Sequence, residues 1–248
     1  MHATLRFYAE LNDFLPRERR QIAFEHSWDG QVAVKDLVEG LGVPHTEVDL
    51  LLVNGESCGF ERLLHDGDRV AVYPVFEALD IAAVTRVRPE PLREPAFVLD
   101  AHLGRLAALL RFAGFDSLYR NDFDDRELAE ISAVERRILL TRDRELLKRA
   151  AVTHGFYVRK ADPIGQFADV IERFDLRRLA RPFTRCSRCN RLLEPATAAS
   201  VAERVPPRSR DAYRRFLRCP GCGRLYWEGS HHRRLAQRLA TVLVPQSG

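Results

Sequence analysis

Two groups of residues in this 248-residue chain have types and spacings that could do chemistry. The first is acidic. The apolar run Phe97-Val98-Leu99 ends in Asp100, and Ile138-Leu139-Leu140 leads through Thr141 and Arg142 to Asp143. Short apolar runs of this kind read as buried strands. In an open parallel sheet, ligands gather beyond the C-terminal strand ends. Asp125, at a helix start that follows a strand, and Asp162, after the Phe156–Val158 run, are further candidates on that rim. Carboxylates collected there repel: at ~4 Å and an effective dielectric of ~20, one like-charged pair costs about 4 kcal/mol. A divalent ion with oxygen ligands offsets that cost. One or two such ions can activate water and stabilise the leaving oxygen of a phosphodiester. A lone Asp after a strand is also a common helix cap. Asp124, with Glu127 three residues on, has the pattern of a capping box, and Asp122 reads as a solvated loop charge.

The second group is the cysteines. Cys186-x-x-Cys189 and Cys219-x-x-Cys222 are separated by 29 residues. Two such knuckles supply the four soft ligands of a structural, tetrahedral Zn2+ site. Gly221 and Gly223 suit the tight backbone of the second knuckle. Cys58 stands apart and reads as an ordinary residue. His231 and His232 read as surface residues or as contacts to metal or phosphate. Around the knuckles the charge is lopsided: residues 181–248 hold 14 basic and 4 acidic side chains, or +10, against −8 for residues 1–85 (7 basic, 15 acidic). Nearly all the cations are Arg, which suits bidentate phosphate contact. Arg188, Arg214, Arg215 and Arg218, interleaved with Tyr226 and Trp227, suit single-stranded nucleic acid through phosphate contact and base stacking. The same aromatics could instead pack a small core, and some arginines could offset the net −2 of a zinc–tetrathiolate centre.

The elements that must position these groups fall into three segments. Residues 1–84 read as a small α+β domain: strands at TLRFYAEL and QIAFEH, a helix at VAVKDLVEGLG, a strand entering an Asn54-Gly55 turn, and a final strand. Residues 85–95, rich in Pro and charge, read as a linker. Residues 96–180 alternate strand and helix, which implies a parallel sheet covered on both faces. In it, RELLKRAAVTHG reads as one helix. Residues 181–248 carry the cysteines. No apolar run approaches the ~18 residues of a membrane span, and the first residues lack a signal-peptide pattern. The expectation is a cytoplasmic protein without a membrane partner.

Through FYAEL, LLVNG and DGDRVAVYPVF, residues 1–80 resemble the β-grasp (ubiquitin-like) fold, above all its sulfur-carrier branch, such as the small subunit of molybdopterin synthase. Those carriers end in a free Gly-Gly tail, whereas here PVFEALDIAAV runs on, which argues against sulfur transfer and leaves two roles for this acidic domain: docking a protein partner, or lying against the basic ribbon and occluding it. From about 96 to 235, LDAHLGRLAALLRFAGFD, DFDDRELAEIS, RRILLTRDRELLKR and CSRCN…VPP…CPGCGRLYWEGSHH resemble the Mut-seven C-terminal RNase family, a PIN-like nuclease domain with a C-terminal zinc ribbon. That resemblance implies an α/β fold with a PIN-like parallel sheet flanked by helices, preceded by the β-grasp domain. It makes Asp100, Asp125 and Asp143 the catalytic acids holding Mg2+ or Mn2+, with Asp162 in a looser acidic match. The function it implies is a metal-dependent RNase. Apart from the resemblance, Arg105, Arg142 and Arg144 are further nucleic-acid-binding candidates, on the α/β domain instead of the ribbon. The alternative is a non-catalytic RNA-binding or adaptor protein. An aspartyl-phosphate phosphatase fits less well, because Ala101 and His102 follow Asp100 where a second Asp would be needed.

Overall fold

Alternation of apolar and polar residues sets the first sheet. In β1 (His2–Phe7) the side chains of Ala3, Leu5 and Phe7 are buried and their neighbours are not. β2 (Ala23–Ser27) pairs with it antiparallel. Helix α1 (Val34–Gly40) packs Val34, Leu37 and Val38 inward. β3 (Leu50–Val53) and β4 (Glu56–Ser57) are joined by Asn54-Gly55, both at positive φ (54° and 89°). A two-residue hairpin loop favours this left-handed pair because it matches the strand twist. β5 (Asp68–Tyr73) lies parallel to β1 and antiparallel to β3, so the strand order is β2-β1-β5-β3-β4. A helix crossing a mixed sheet with its first and last strands paired at the centre is the ubiquitin-like β-grasp expected from the sequence.

β6 (Phe97–Leu99), α2 (Gly104–Phe112), β7 (Ser117–Tyr119), α3 (Asp125–Val134), β8 (Ile138–Thr141), α4 (Arg144–Leu147), β9 (Gly155–Tyr157) and α5 (Pro163–Arg173) follow in order. β6, β8 and β9 pair in parallel, and β6 and β8 are buried along their whole length. The mixed α/β class with a parallel sheet is therefore as expected. The long helix expected over RELLKRAAVTHG is not formed: α4 has four residues. The chain must turn early, because Leu139 N donates to His154 O (3.0 Å) and Leu139 registers with Gly155.

The last segment comprises β10 (Glu194–Ala196), α6 (Pro207–Ala212), β11 (Phe216–Arg218), β12 (Leu225–Trp227) and α7 (Ser230–Leu243), with β10, β11 and β12 antiparallel.

A computed structural model describes residues 1–74, 84–87, 95–197, 199–201, 204–213 and 215–244. The 75–83 continuation beyond β5, most of the 85–95 linker, and Arg214 lie outside them. The chain divides into two compact units, residues 1–102 with 123–158, and residues 103–122 with 159–248. The division cuts through the 96–180 segment read from sequence as one domain. Inside the first unit, the β-grasp part is bonded to the parallel ladder. His45 Nε2 donates to Val152 O (2.8 Å), and Glu47 Oε1 accepts from Tyr157 N (2.7 Å). Both side chains are buried. No helix among the described residues is long and apolar enough to cross a membrane.

Candidate metal centre and acidic rim

The four cysteines converge. Among the described residues they form the only group of three or more Cys, His, Asp or Glu side chains whose ligand atoms lie within 4.8 Å of one another. Cys186 and Cys222 sulfurs are 3.5 Å apart, and Cys189 and Cys219 are 3.3 Å apart. A tetrahedral ion with Zn–S bonds of ~2.3 Å sets its sulfurs about 3.8 Å apart, so the donor set fits zinc in kind and in size.

Each knuckle is built by the same backbone pattern. Cys186 N donates to Arg191 O (2.8 Å), Asn190 N to Cys186 O (2.9 Å) and Cys189 N to Cys186 Sγ (3.4 Å). In the second knuckle Cys219 N donates to Arg224 O (2.9 Å), Gly223 N to Cys219 O (2.9 Å) and Cys222 N to Cys219 Sγ (3.4 Å). The pattern needs a left-handed residue after the second cysteine. Gly223 (φ 69°) and Asn190 (φ 70°) fill that position, and Asn is the residue besides Gly that tolerates it best. Burial acts to raise the Cys186 thiol, but the Tyr226 hydroxyl and the Cys189 and Arg188 amides outweigh it and bring it down to about 6. Burial, with the neighbouring thiols, pushes Cys189 up to about 12. A bound cation would remove the need for such a split, since metal binding deprotonates its thiols.

Sequence reasoning missed how the first knuckle is held. Asn190 Nδ2 donates to Asp116 Oδ1 (2.8 Å) and its Oδ1 accepts from Ser117 N (3.1 Å). Arg111, buried, donates to Ser117 O (2.8 Å) and Arg188 O (2.8 Å). Burial lowers the Arg111 pKa, and the Cys186, Cys189 and Asp116 charges oppose it. The helix pattern of α2 gives no sign that one of its cations serves a site 77 residues away.

The acids are arranged differently. Asp100 is half-buried at the end of β6, and its Oδ2 accepts from the Thr141 hydroxyl (2.7 Å). Thr141 is fully buried, and its Oγ1 accepts from Asp143 N (2.9 Å). One hydroxyl thus ties the two strand-exit aspartates, a role the sequence reading did not give to Thr141. Asp143 Oδ1 also caps α4, accepting from Glu145 N (2.8 Å) and Leu146 N (3.4 Å). Asp125 is exposed, 3.6 Å from the Arg149 guanidinium. Asp100, Asp125 and Asp143, expected to share one ion, do not gather as a three-ligand cluster here. Asp162 is the N-cap of α5, accepting from Gly165 N (2.7 Å) with Pro163 following. Asp124 forms the capping box with Glu127.

Of the arginines, Arg105, Arg142, Arg188, Arg215 and Arg218 are exposed. Arg215 lies 3.7 Å from Glu228. Arg144 was expected to contact nucleic acid, but it is committed elsewhere. Its guanidinium lies over the Phe14 and Tyr157 rings (4.9 and 5.4 Å) and donates to Phe14 O (3.3 Å), because its position at the start of α4 aims it at the β-grasp domain. Trp227 packs against the small Val201, Val205 and Phe216 core and is half-buried.

Residues 95–239 match the family model described as Mut7-C RNAse domain, and residues 1–80 match that described as Mut7-C ubiquitin. No curated protein matches the chain. Among solved structures it is similar to SAMP1 from Haloferax volcanii (19% identity, 31% of this chain and 97% of that one, TM-score 0.25). It is likewise similar to the H. volcanii small archaeal modifier protein 1 (20% identity, 30% and 98%, TM-score 0.25).

Proposed function

Since the chain belongs to the Mut7-C RNAse domain family, we propose that it is a metal-dependent ribonuclease that cuts RNA phosphodiesters at the acidic rim while the basic zinc ribbon holds the strand. The observation that carries this reading is the shared Thr141 hydroxyl, which orients Asp100 and anchors the Asp143 backbone at adjacent strand exits. Asp100 and Asp143 would hold a Mg2+ or Mn2+ ion. Mg2+ commonly takes one or two carboxylates and keeps several waters, so two protein ligands suffice. The ion, when bound, would supply charge neutralisation and an activated water. Thr141 fixes the carboxylate of Asp100, so that no reorganisation is needed when substrate arrives. Asp125 joins only if its pairing with Arg149 opens. Arg142, exposed beside Asp143 in the chain, is free of the packing that occupies Arg144 and suits a phosphate contact. The limits 1–84, 96–180 and 181–248 remain the functional division of this reading, with the first segment docking a protein partner.

A specific observation favours the second reading, an RNA-binding adaptor. Asp143 and Asp162 cap helices and Asp125 is ion-paired, as structural acids are. Zinc-loaded protein incubated with defined single- and double-stranded RNA across a Mg2+ and Mn2+ series separates the two. The ribonuclease reading expects divalent-dependent cleavage that Asp100→Asn abolishes. RNA binding without cleavage under every ion would leave the adaptor.

A further inference from the structure

A cavity in the second unit has no role in the scheme above. It lies beside β12 and the start of α7, and its volume is about 450 Å3, inside the ~300–1,000 Å3 range of small-ligand sites. Phe112, Phe183, Tyr213 and Trp227 are among its lining residues, and none of the lining residues is Asp or Glu. Tyr213 is held in place by Arg233, which donates to its hydroxyl at 2.8 Å.

The rest of the lining is polar or cationic. Arg224 lines the cavity, is exposed, and has no ion pair among the described residues. Helix α7 begins at Gly229 without a side-chain cap or an acidic residue in its first turn. Its first amides are therefore left for an outside acceptor, and a helix start favours an anion. A Cβ at position 229 would come within 2.8 Å of Trp227 Nε1, so glycine is what lets the indole lie against the helix start.

His232 packs among the aromatic residues of the lining. Its ring sits 5.1 Å from Phe112 and 4.2 Å from Phe183. Both ring nitrogens are shut off from solvent with no hydrogen-bond partner among the described residues. Buried polar atoms are ordinarily paired. A nitrogen that water does not reach is equally out of reach of a ligand in the cavity, so His232 belongs to the packing around the site and is not a binding contact.

We propose that this cavity takes one unstacked nucleotide of a single-stranded RNA, its base against Tyr213 and Trp227 and its phosphate at the start of α7 and Arg224. The choice of RNA as the source rests on the ribonuclease reading. Arg224 and the helix-start amides have no use for a purely apolar ligand, and inorganic phosphate leaves the aromatic residues uncovered.

The chain has two tryptophans, Trp28 and Trp227, so full-length, zinc-loaded Trp28→Phe protein reports on the cavity by fluorescence. A short oligoadenylate should quench Trp227, AMP should do so more weakly, and inorganic phosphate and an RNA duplex should not. Ser209→Phe, which fills the cavity from α6, should remove the quenching and weaken oligonucleotide binding by about 10-fold, within the ~5–150-fold that loss of one base stack produces, with a salt slope lowered by no more than one phosphate contact. Arg224→Gln should reduce that slope by roughly 0.7. Zinc stoichiometry verifies that each variant is folded. Oligonucleotide binding with no quenching and no effect of Ser209→Phe overturns the cavity and leaves the ribbon's RNA role standing. Quenching by AMP with no binding of the oligonucleotide overturns the strand as its source. Absence of binding to any of these probes overturns both the cavity and the RNA reading.

Discussion

The cysteine centre and the acidic rim solve the same problem, gathering like-charged ligands, in opposite ways. At the centre the backbone does the gathering. Two copies of one hydrogen-bonded knuckle aim four sulfurs inward, and the amides of Cys189 and Cys222 donate to sulfurs rather than to a neighbouring helix. At the rim the carboxylates serve the backbone instead. Asp143 and Asp162 start helices, and Asp125 answers an arginine. A thiolate is a poor helix cap, so a paired Cys-x-x-Cys spacing has few explanations besides a metal. An aspartate is among the best caps, so the same residue can serve folding, catalysis or both.

The test with the largest expected effect strikes the centre. Structural zinc contributes on the order of 10–16 kcal/mol of apparent folding energy, so Cys219→Ser or a strong chelator should unfold the ribbon. Because Arg111 and Asn190 tie the first knuckle to residues 116 and 117, hydrogen exchange should accelerate across α2 and β7 as well as across β10–β12. Protection retained in α2 and β7 would show that the ties are incidental.

Next comes the rim. Asp143→Asn keeps an acceptor for the α4 amides, so its melting temperature should hold while divalent-dependent cleavage is lost. Asp143→Ala should lose cleavage and also about 0.5–2 kcal/mol of stability. Thr141→Val should lower cleavage by the ~10–100-fold typical of residues that orient a metal ligand. If Asp143→Asn cleaves normally, the carboxylate is only a cap and the contrast with the cysteines becomes complete.

Smaller still is the knuckle's own asymmetry. Asn190→Gly preserves the left-handed turn but loses two hydrogen bonds, each worth about 1 kcal/mol. A modest fall in melting temperature with full zinc content is expected. Zinc loss would mean that the side chain, rather than the backbone turn, forms the site.

The smallest effect is with pH. Burial lowers the pKa of His232 below its ordinary 6.5, with Arg215 and His231 adding to it against Glu228. The unfolded chain therefore binds a proton first as pH falls. The stability this ring contributes is full above 6.5 and is lost on acidification through its folded value. Melting followed from pH 7.5 to 5 should show a slope that His232→Gln reduces.

These contrasts also explain what could be read from sequence. The cysteine spacing, the Asn54-Gly55 hairpin and the Asp124–Glu127 capping box are local patterns with one dominant physical meaning, and each is formed as expected. Arg144, Asn190 and Arg111 could not be read this way, because their partners are up to 130 residues distant. Nothing in an isolated arginine distinguishes a ring to stack on from a phosphate to bind. Thr141 was hidden for another reason. A β-branched residue at a strand end is ordinary, and only the register of β6 against β8 brings its hydroxyl to Asp100. The four-residue α4 shows a tertiary demand, pairing of β9, overriding a helix-favouring sequence.

The bond from Tyr157 N to Glu47 has one more consequence. β9 is the last strand of its sheet, and an unpaired strand border is a template on which other chains can add. Here the β-grasp domain covers that border with a buried carboxylate, and His45 secures the turn just before it. The Glu47 carboxylate thus satisfies a backbone donor on that border that would otherwise be open to another chain. A chain beginning after residue 84 should be prone to aggregate through β9 even if every residue of the acidic rim and of the cysteine centre were in place.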